Sequence, residues 1–123
     1  MAKKKINTIK PVFYHCDYWE MNYWICVGWD ANHFEEYVLN ELDYKIDLSS
    51  KDGVSLFFEN QKDGQMISVI WTREIKQSVI AHKCCYAAFD TLKKRNTPLN
   101  DSTHEFYCYL VERLVKIACN EEK

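Results

Sequence analysis

"QMISVIWTR", Gln65–Arg73, followed directly by "EIKQSVIAHKCCYAAFDTLKK", Glu74–Lys94, is the stretch on which the fold turns. The first part is β-branched and aromatic over the length of one strand. The second is an apolar pattern at helical spacing. A strand is expected to give way to a helix that starts near Thr72 or Arg73, with Thr72 as its cap, and runs to about Lys94. "KKRN" then places cations and an asparagine at the helix C-terminus, and Pro98 follows.

The segments around it supply the partners. "VSLFFEN" (Val54–Asn60) reads as a strand joined to Gln65–Arg73 by "QKDG", which has Asp-Gly turn chemistry. Upstream, "PVFYHCDY" (Pro11–Tyr18) and "MNYWICVGW" (Met21–Trp29) read as two strands of a hairpin, with "WEMN" as a tight connection. Alternation in the second puts Tyr23, Ile25, Val27 and Trp29 on one face, and Trp24 and Cys26 on the other. Both faces are apolar, so helices should cover the sheet on at least one side. "DANHFEEYVLNEL" changes to helical spacing, with Asp30 as N-cap and Phe34, Val38, Leu39 and Leu42 as the apolar stripe. "DLSSKDG" reads as a loop. A last helix opens at "NDSTHEF" and continues through "YCYLVERLVKIAC", with Phe106, Leu110, Leu114 and Ile117 at core spacing. The order is β-β-α-β-β-α-α. The expected fold class is α+β, a four-stranded sheet with three helices, and no repeat or linker interrupts it. Residues 1–10 are read as a basic flexible tail and residues 11–121 as one α+β domain.

Composition narrows the function classes. The 123 residues suit one core, and 47% hydrophobic and 15% aromatic content exceed what a disordered chain carries. Lys3, Lys4, Lys5 and Lys10 fall in the first ten residues, so the formal charge of −2 becomes −2 − 4 = −6 for the rest. An acidic body offers phosphates no broad footprint, which disfavours nucleic acid as a partner. No apolar run reaches membrane-spanning length, and the N-terminus lacks a secretory pattern. The six cysteines, Cys16, Cys26, Cys84, Cys85, Cys108 and Cys119, sit mostly inside apolar patterns and read as packing residues of a reduced, cytoplasmic protein.

Chemistry concentrates in "VIAHKCCYAAF", Val79–Phe89. His82 and Tyr86 are four apart and share a helix face with Val79 and Ile75. A zinc hydrolase places two ligands on one helical turn, with a carboxylate base beside the first. Here the spacing is kept and the chemistry is changed. Lys83 stands where the base would be, and Tyr86, a phenol with pKa near ~10, stands where a second imidazole would be. His82, Cys85 and Glu105, joined by His104 or Cys84, form the alternative ligand set. Against these stand plainer readings: His82 as a buried, hydrogen-bonded imidazole, Glu105 in a capping box with Ser102, and Cys84, Cys85 and Cys108 as packing. No Ser-His-Asp set, phosphate-binding Gly loop or CxxC pair is present.

"VIWTR", "SVIAHKCCYAAFDTLKKRN" and "NDSTHEFYCYLVERLVKI" together resemble a family of small phage and prophage proteins. In that family a strand of type I-I-W-x precedes a helix reading L-x-H-E-C-x-H-A-A, then a helix beginning N-x-E-x-x-x-Y-L-V. The specific matches are His82, Cys84, Ala87, Ala88, Glu105, Tyr109, Leu110 and Val111, within a resemblance spanning about residues 12–120. Such proteins look like minimal zincins. The resemblance implies His82 as the first zinc ligand and Glu105 as the third, with Lys83 replacing the catalytic glutamate and Tyr86 the second histidine. It therefore implies a zincin-like scaffold without catalytic residues, the degenerate site being His82, Lys83, Tyr86 and Glu105.

The expected function is that of a non-catalytic phage protein in the bacterial host cytoplasm. It would bind a host or defence-system protein, as an inhibitor of the anti-CRISPR kind, with no cofactor. Tyr14, Tyr18, Trp19, Tyr23, Trp24 and Trp29 crowd the first hairpin and are the expected interaction residues. Two alternatives stay open. One is a zinc-binding or metal-dependent hydrolase domain built on His82, Cys85 and Glu105. The other is a phage assembly factor that forms a homodimer or larger homo-oligomer through the aromatic hairpin.

Overall fold

The computed structural model describes residues 10–60 and 62–120. Of the expected basic tail only Lys10 is among them, and residue 121 of the expected domain also lies outside. The elements are β1 (Val12–Cys16), β2 (Met21–Val27), α1 (Ala31–Leu42), β3 (Gly53–Glu59), β4 (Met66–Thr72), α2 (Gln77–Lys94) and α3 (His104–Ala118). This is the α+β order read from the sequence, with four strands in one sheet and three helices. Among the described residues no helix is long and apolar enough to cross a membrane.

The strands lie in the order β1-β2-β4-β3. Two antiparallel hairpins, β1–β2 and β3–β4, join through a parallel β2–β4 pair at the centre, with Ile25 opposite Ile70 and Trp24 opposite Val69. A parallel pair buried on both faces calls for near-continuous apolar sequence, and "YWIC" with "VIW" supplies it. Two cores result. On one face Met21, Tyr23, Ile25 and Ile70 pack with Ile80, Cys84, Ala87 and Ala88 of α2 and Leu110 and Leu114 of α3. On the other, Cys26, Val69 and Trp71 pack with Phe34 and Val38 of α1, together with Trp29, Leu48 and Val54. The sheet is therefore covered on both sides.

The polar atoms of Tyr23, Thr91 and Trp71 are paired within these layers. Thr91 Oγ1 donates to the Ala87 carbonyl at 2.9 Å, so the Tyr23 hydroxyl is the donor in its 2.7 Å bond to Thr91. Burial holds the Tyr23 phenol far above its ordinary range. Trp71 stacks on Phe34 at 5.5 Å and donates its indole N–H to the Trp29 carbonyl at 3.0 Å. Two arginines fasten loops to the layers. Arg73 Nη2 reaches the carbonyls of Leu48 and Lys51, both at 2.8 Å. Arg95 Nε reaches Trp19 O at 2.7 Å and its Nη2 reaches Glu20 O at 2.6 Å, tying the β1–β2 turn to the end of α2.

Several local expectations are corrected. Thr72 is the last residue of β4, and its hydroxyl donates to Glu74 O at 2.9 Å, so it caps no helix. The α2 N-cap is Lys76. The first turn is Asp17–Glu20 and not Trp19–Asn22: Met21 already pairs with Cys16, and Glu20 takes the left-handed conformation that closes the turn (φ 52). Trp29 leaves the Tyr23–Ile25–Val27 face, because β2 ends at Val27 and Gly28, at φ +76, breaks the two-residue alternation. The Trp29 indole therefore joins the α1 core. Leu39 and Phe106, expected in core stripes, are exposed. α3 begins at His104, not Asn100. Asn100 instead takes the backbone N–H and hydroxyl of Ser102.

Candidate functional site

The buried stripe of α2 is Ile80, Cys84, Ala87, Ala88, Thr91 and Leu92. At about 100° per residue, positions 82, 86 and 89 fall on the opposite side of the helix, farthest from the sheet. His82 is indeed exposed, and Tyr86 and Phe89 are 51% and 45% exposed. The expectation of a buried, hydrogen-bonded His82 is corrected by this. An odd spacing of small residues, Cys84, Ala87 and Ala88, brings α2 close to the sheet and turns the His-x-x-x-Tyr frame out to solvent.

On that ridge the His82 and Tyr86 rings stack at 4.9 Å and 30°, and Lys83 Nζ lies 5.4 Å from the Tyr86 centroid. The Tyr86 ring thus contacts both an imidazole and an ammonium. The Lys83 stem runs against the backbone of Gly53, where a Cβ would come within 3.3 Å of its Cγ and Cε. Lys83 is therefore partly covered by β3, and no carboxylate pairs with it among the described residues.

Glu105 sits exposed in the first turn of α3. Its charge raises the Tyr109 phenol above its ordinary value. The capping box with Ser102 does not form, since Ser102 is engaged by Asn100. Among the described residues no three His, Cys, Asp or Glu side chains come together to hold a metal ion. His82, Cys85 and Glu105 are therefore not assembled as a ligand set, and His104, whose Nδ1 is 2.9 Å from Asp101 O, adds nothing to one. A cation would also meet Lys83 beside its only imidazole. These residues do not fit zinc.

None of the six cysteines is in a disulfide. Cys84 is fully buried, and burial pushes its thiol up to about 12, which removes it as a nucleophile at neutral pH. Cys85 is half-buried, and its carbonyl accepts from the Tyr107 hydroxyl at 3.5 Å. Cys108, expected in packing, is exposed.

The six hairpin aromatics separate. Tyr23 is wholly buried and Trp19 and Trp29 nearly so, so these three are core and not contact residues. Tyr14 and Trp24 are half-buried. Only Tyr18 stands out, at 69% exposure. The structure gives it companions that sequence reasoning missed. Tyr18 stacks on Phe106 at 5.6 Å, and beside them lie Tyr109, 64% exposed, and Arg113, which lies over the Tyr14 ring at 5.9 Å. Together they border a depression of about 210 Å³ floored by Trp19 and Leu110. Phe106, Tyr109 and Arg113 are spaced i, i+3, i+7, which places them on one face of α3. That spacing was a readable signal, hidden by assigning Phe106 to the core.

Comparison with protein-family models, with curated proteins and with solved structures returned no match. The functional reading accordingly stands on the residues themselves.

Proposed function

We propose that this chain is a non-catalytic, zincin-like phage protein that binds a host protein in the bacterial cytoplasm and inhibits an antiviral defence system, in the manner of an anti-CRISPR protein. The single observation that supports the binding reading is the exposed Tyr18–Phe106–Tyr109 cluster with Arg113 at its edge. Tyrosine and arginine are the residue types that dominate interface energetics, because they bury large areas at small entropic cost while keeping polar ends. A monomer gains nothing by leaving three aromatic rings beside one another in water. The non-catalytic reading draws support from Lys83 and Tyr86 in place of a base and a second ligand, and from the solvent-facing placement of His82 and Tyr86. The defence-system partner comes from the resemblance alone.

The test is a plaque assay on a bacterial host with active CRISPR immunity against the challenging phage. Expression of the wild-type chain is expected to restore plating by at least about a hundredfold. The triple variant Tyr18→Ala, Phe106→Ala, Tyr109→Ala is expected to lose that restoration while keeping a native circular dichroism spectrum, since three interface anchors carry most of a binding energy. Failure of the wild type to restore plating on hosts representing the major CRISPR types would sink the defence reading. A triple variant as active as wild type would sink the surface.

A further inference from the structure

On the other face of β1 from this cluster lies a second concavity. Phe13 and Tyr14 are neighbours on a strand, so their side chains point to opposite faces. Phe13 turns toward α1 and, with His33, Tyr37, Glu36 and Glu41, borders a cleft of about 430 Å³ between β1 and that helix. Its wall is aromatic and continuous. Phe13 packs edge-on against Trp24 at 5.6 Å, Trp24 against Tyr37 at 6.0 Å, and Trp29 against both Tyr37 at 5.5 Å and His33 at 4.7 Å.

The rim is anionic. From Asp30 to Asp43 the chain holds five carboxylates and no lysine or arginine. Glu35 is committed to the Leu48 backbone N–H at 2.9 Å. Glu36 and Glu41 have no ion-pair or hydrogen-bond partner among the described residues, and the Glu41 charge helps burial to raise the Tyr37 phenol. Lys10 borders the mouth without pairing with either glutamate. Within the wall, His33 Nε2 is shut off from solvent and has no hydrogen-bond partner among the described residues.

We propose that this cleft receives an arginine side chain presented by a partner protein, with the guanidinium between Glu36 and Glu41 and its flat face on the Phe13–Tyr37 wall. Arginine fits each feature at once. Its planar cation stacks on aromatic faces, bridges carboxylates with paired N–H groups, and sheds water more readily than an ammonium. This site does not depend on the Tyr18–Phe106–Tyr109 surface, so the two can fail separately.

The full chain, labelled with ¹⁵N, is titrated with an acetylated and amidated Gly-Arg-Gly tripeptide. The same tripeptide with citrulline in place of arginine keeps the shape and removes the charge. The arginine peptide is expected to shift the Trp24 and Trp29 indole resonances with millimolar affinity, and the citrulline peptide to bind at least about tenfold more weakly. Glu36→Gln with Glu41→Gln, both at exposed positions, should reproduce that tenfold loss, and Lys10→Ala should tighten binding about twofold by removing a competing cation. The triple aromatic variant should bind the arginine peptide as wild type does. No shift at about 10 mM peptide, equal binding of the citrulline peptide, or an unchanged affinity in the double glutamine variant would each overturn the proposal.

Discussion

Trp71→Ala abolishes cooperative folding at physiological temperature. Trp71 is fully buried on β4, the strand that pairs with both β2 and β3, and with Cys26 and Val69 it packs the sheet against Phe34 and Val38 of α1. Removing a buried tryptophan costs about 3–5 kcal/mol in lost transfer energy and cavity. The Trp29 carbonyl then loses its donor, at a cost of about 1–3 kcal/mol when buried. Against a total of about 5–15 kcal/mol for a domain, that sum removes most or all of the stability. Trp71→Phe keeps a ring against Phe34 while losing the N–H and part of the indole volume, and should fall between wild type and Trp71→Ala. Urea denaturation followed by far-ultraviolet circular dichroism gives the answer. A midpoint for Trp71→Ala within about 0.5 M of wild type would mean that the α1 layer is not a core.

Arg95→Ala comes next in size, and its effect is local. One guanidinium donates to Trp19 O and Glu20 O, closing a turn in which Glu20 already adopts a left-handed conformation. Charge-assisted hydrogen bonds of this kind contribute about 1.5–3 kcal/mol each when kept from water, and about half of that where solvent screens them. A loss of about 1–3 kcal/mol is expected, with amide hydrogen exchange accelerating first between Asp17 and Tyr23. Lysine should not rescue, because a single ammonium on a flexible stem does not reproduce the two-pronged geometry. Since Tyr18 sits in the same turn, Arg95→Ala should also weaken whatever the Tyr18–Phe106–Tyr109 surface binds. Unchanged exchange in the turn would show that Arg95 does not hold it.

The element order was legible because each run keeps one period over its whole length. The aromatic, β-branched strands and the 3.6-residue stripes of α1, α2 and α3 leave little room for another order. The parallel joint between β2 and β4 was not legible. Each hairpin announces itself by a short turn, but nothing local says which strand of one hairpin meets which of the other. Side-chain direction failed where a single backbone angle intervened: Gly28 sends Trp29 to the opposite face, and no count of alternating residues contains that information.

The site reading divided in the same way. The spacing of His82 and Tyr86 correctly put both on one face of α2. Which face was decided by a competition between two apolar stripes. Ile75, Val79, Tyr86 and Phe89 carry the larger side chains, yet Ile80, Cys84, Ala87, Ala88 and Leu92 won the interior. Small residues let a helix approach a sheet that already carries Tyr23 and Met21, and packing density, not hydrophobicity, settles such a contest. The hairpin aromatics show the converse. Half of them fill the two cores, and the exposed member, Tyr18, finds its neighbours on a helix some ninety residues away in sequence, Phe106 and Tyr109.

We propose that the His82–Tyr86 helix presents a solvent-facing ridge on which, among the described residues, no metal-binding set of donors is assembled. The most direct test of this proposal is the zinc content of untagged protein, purified without chelator and measured by mass spectrometry alongside His82→Ala and Glu105→Ala. Less than about 0.1 zinc per chain is expected in all three, because no preformed set of donors among the described residues is available to compete for the ion. One zinc per chain in the wild type, lost in either variant, would contradict it.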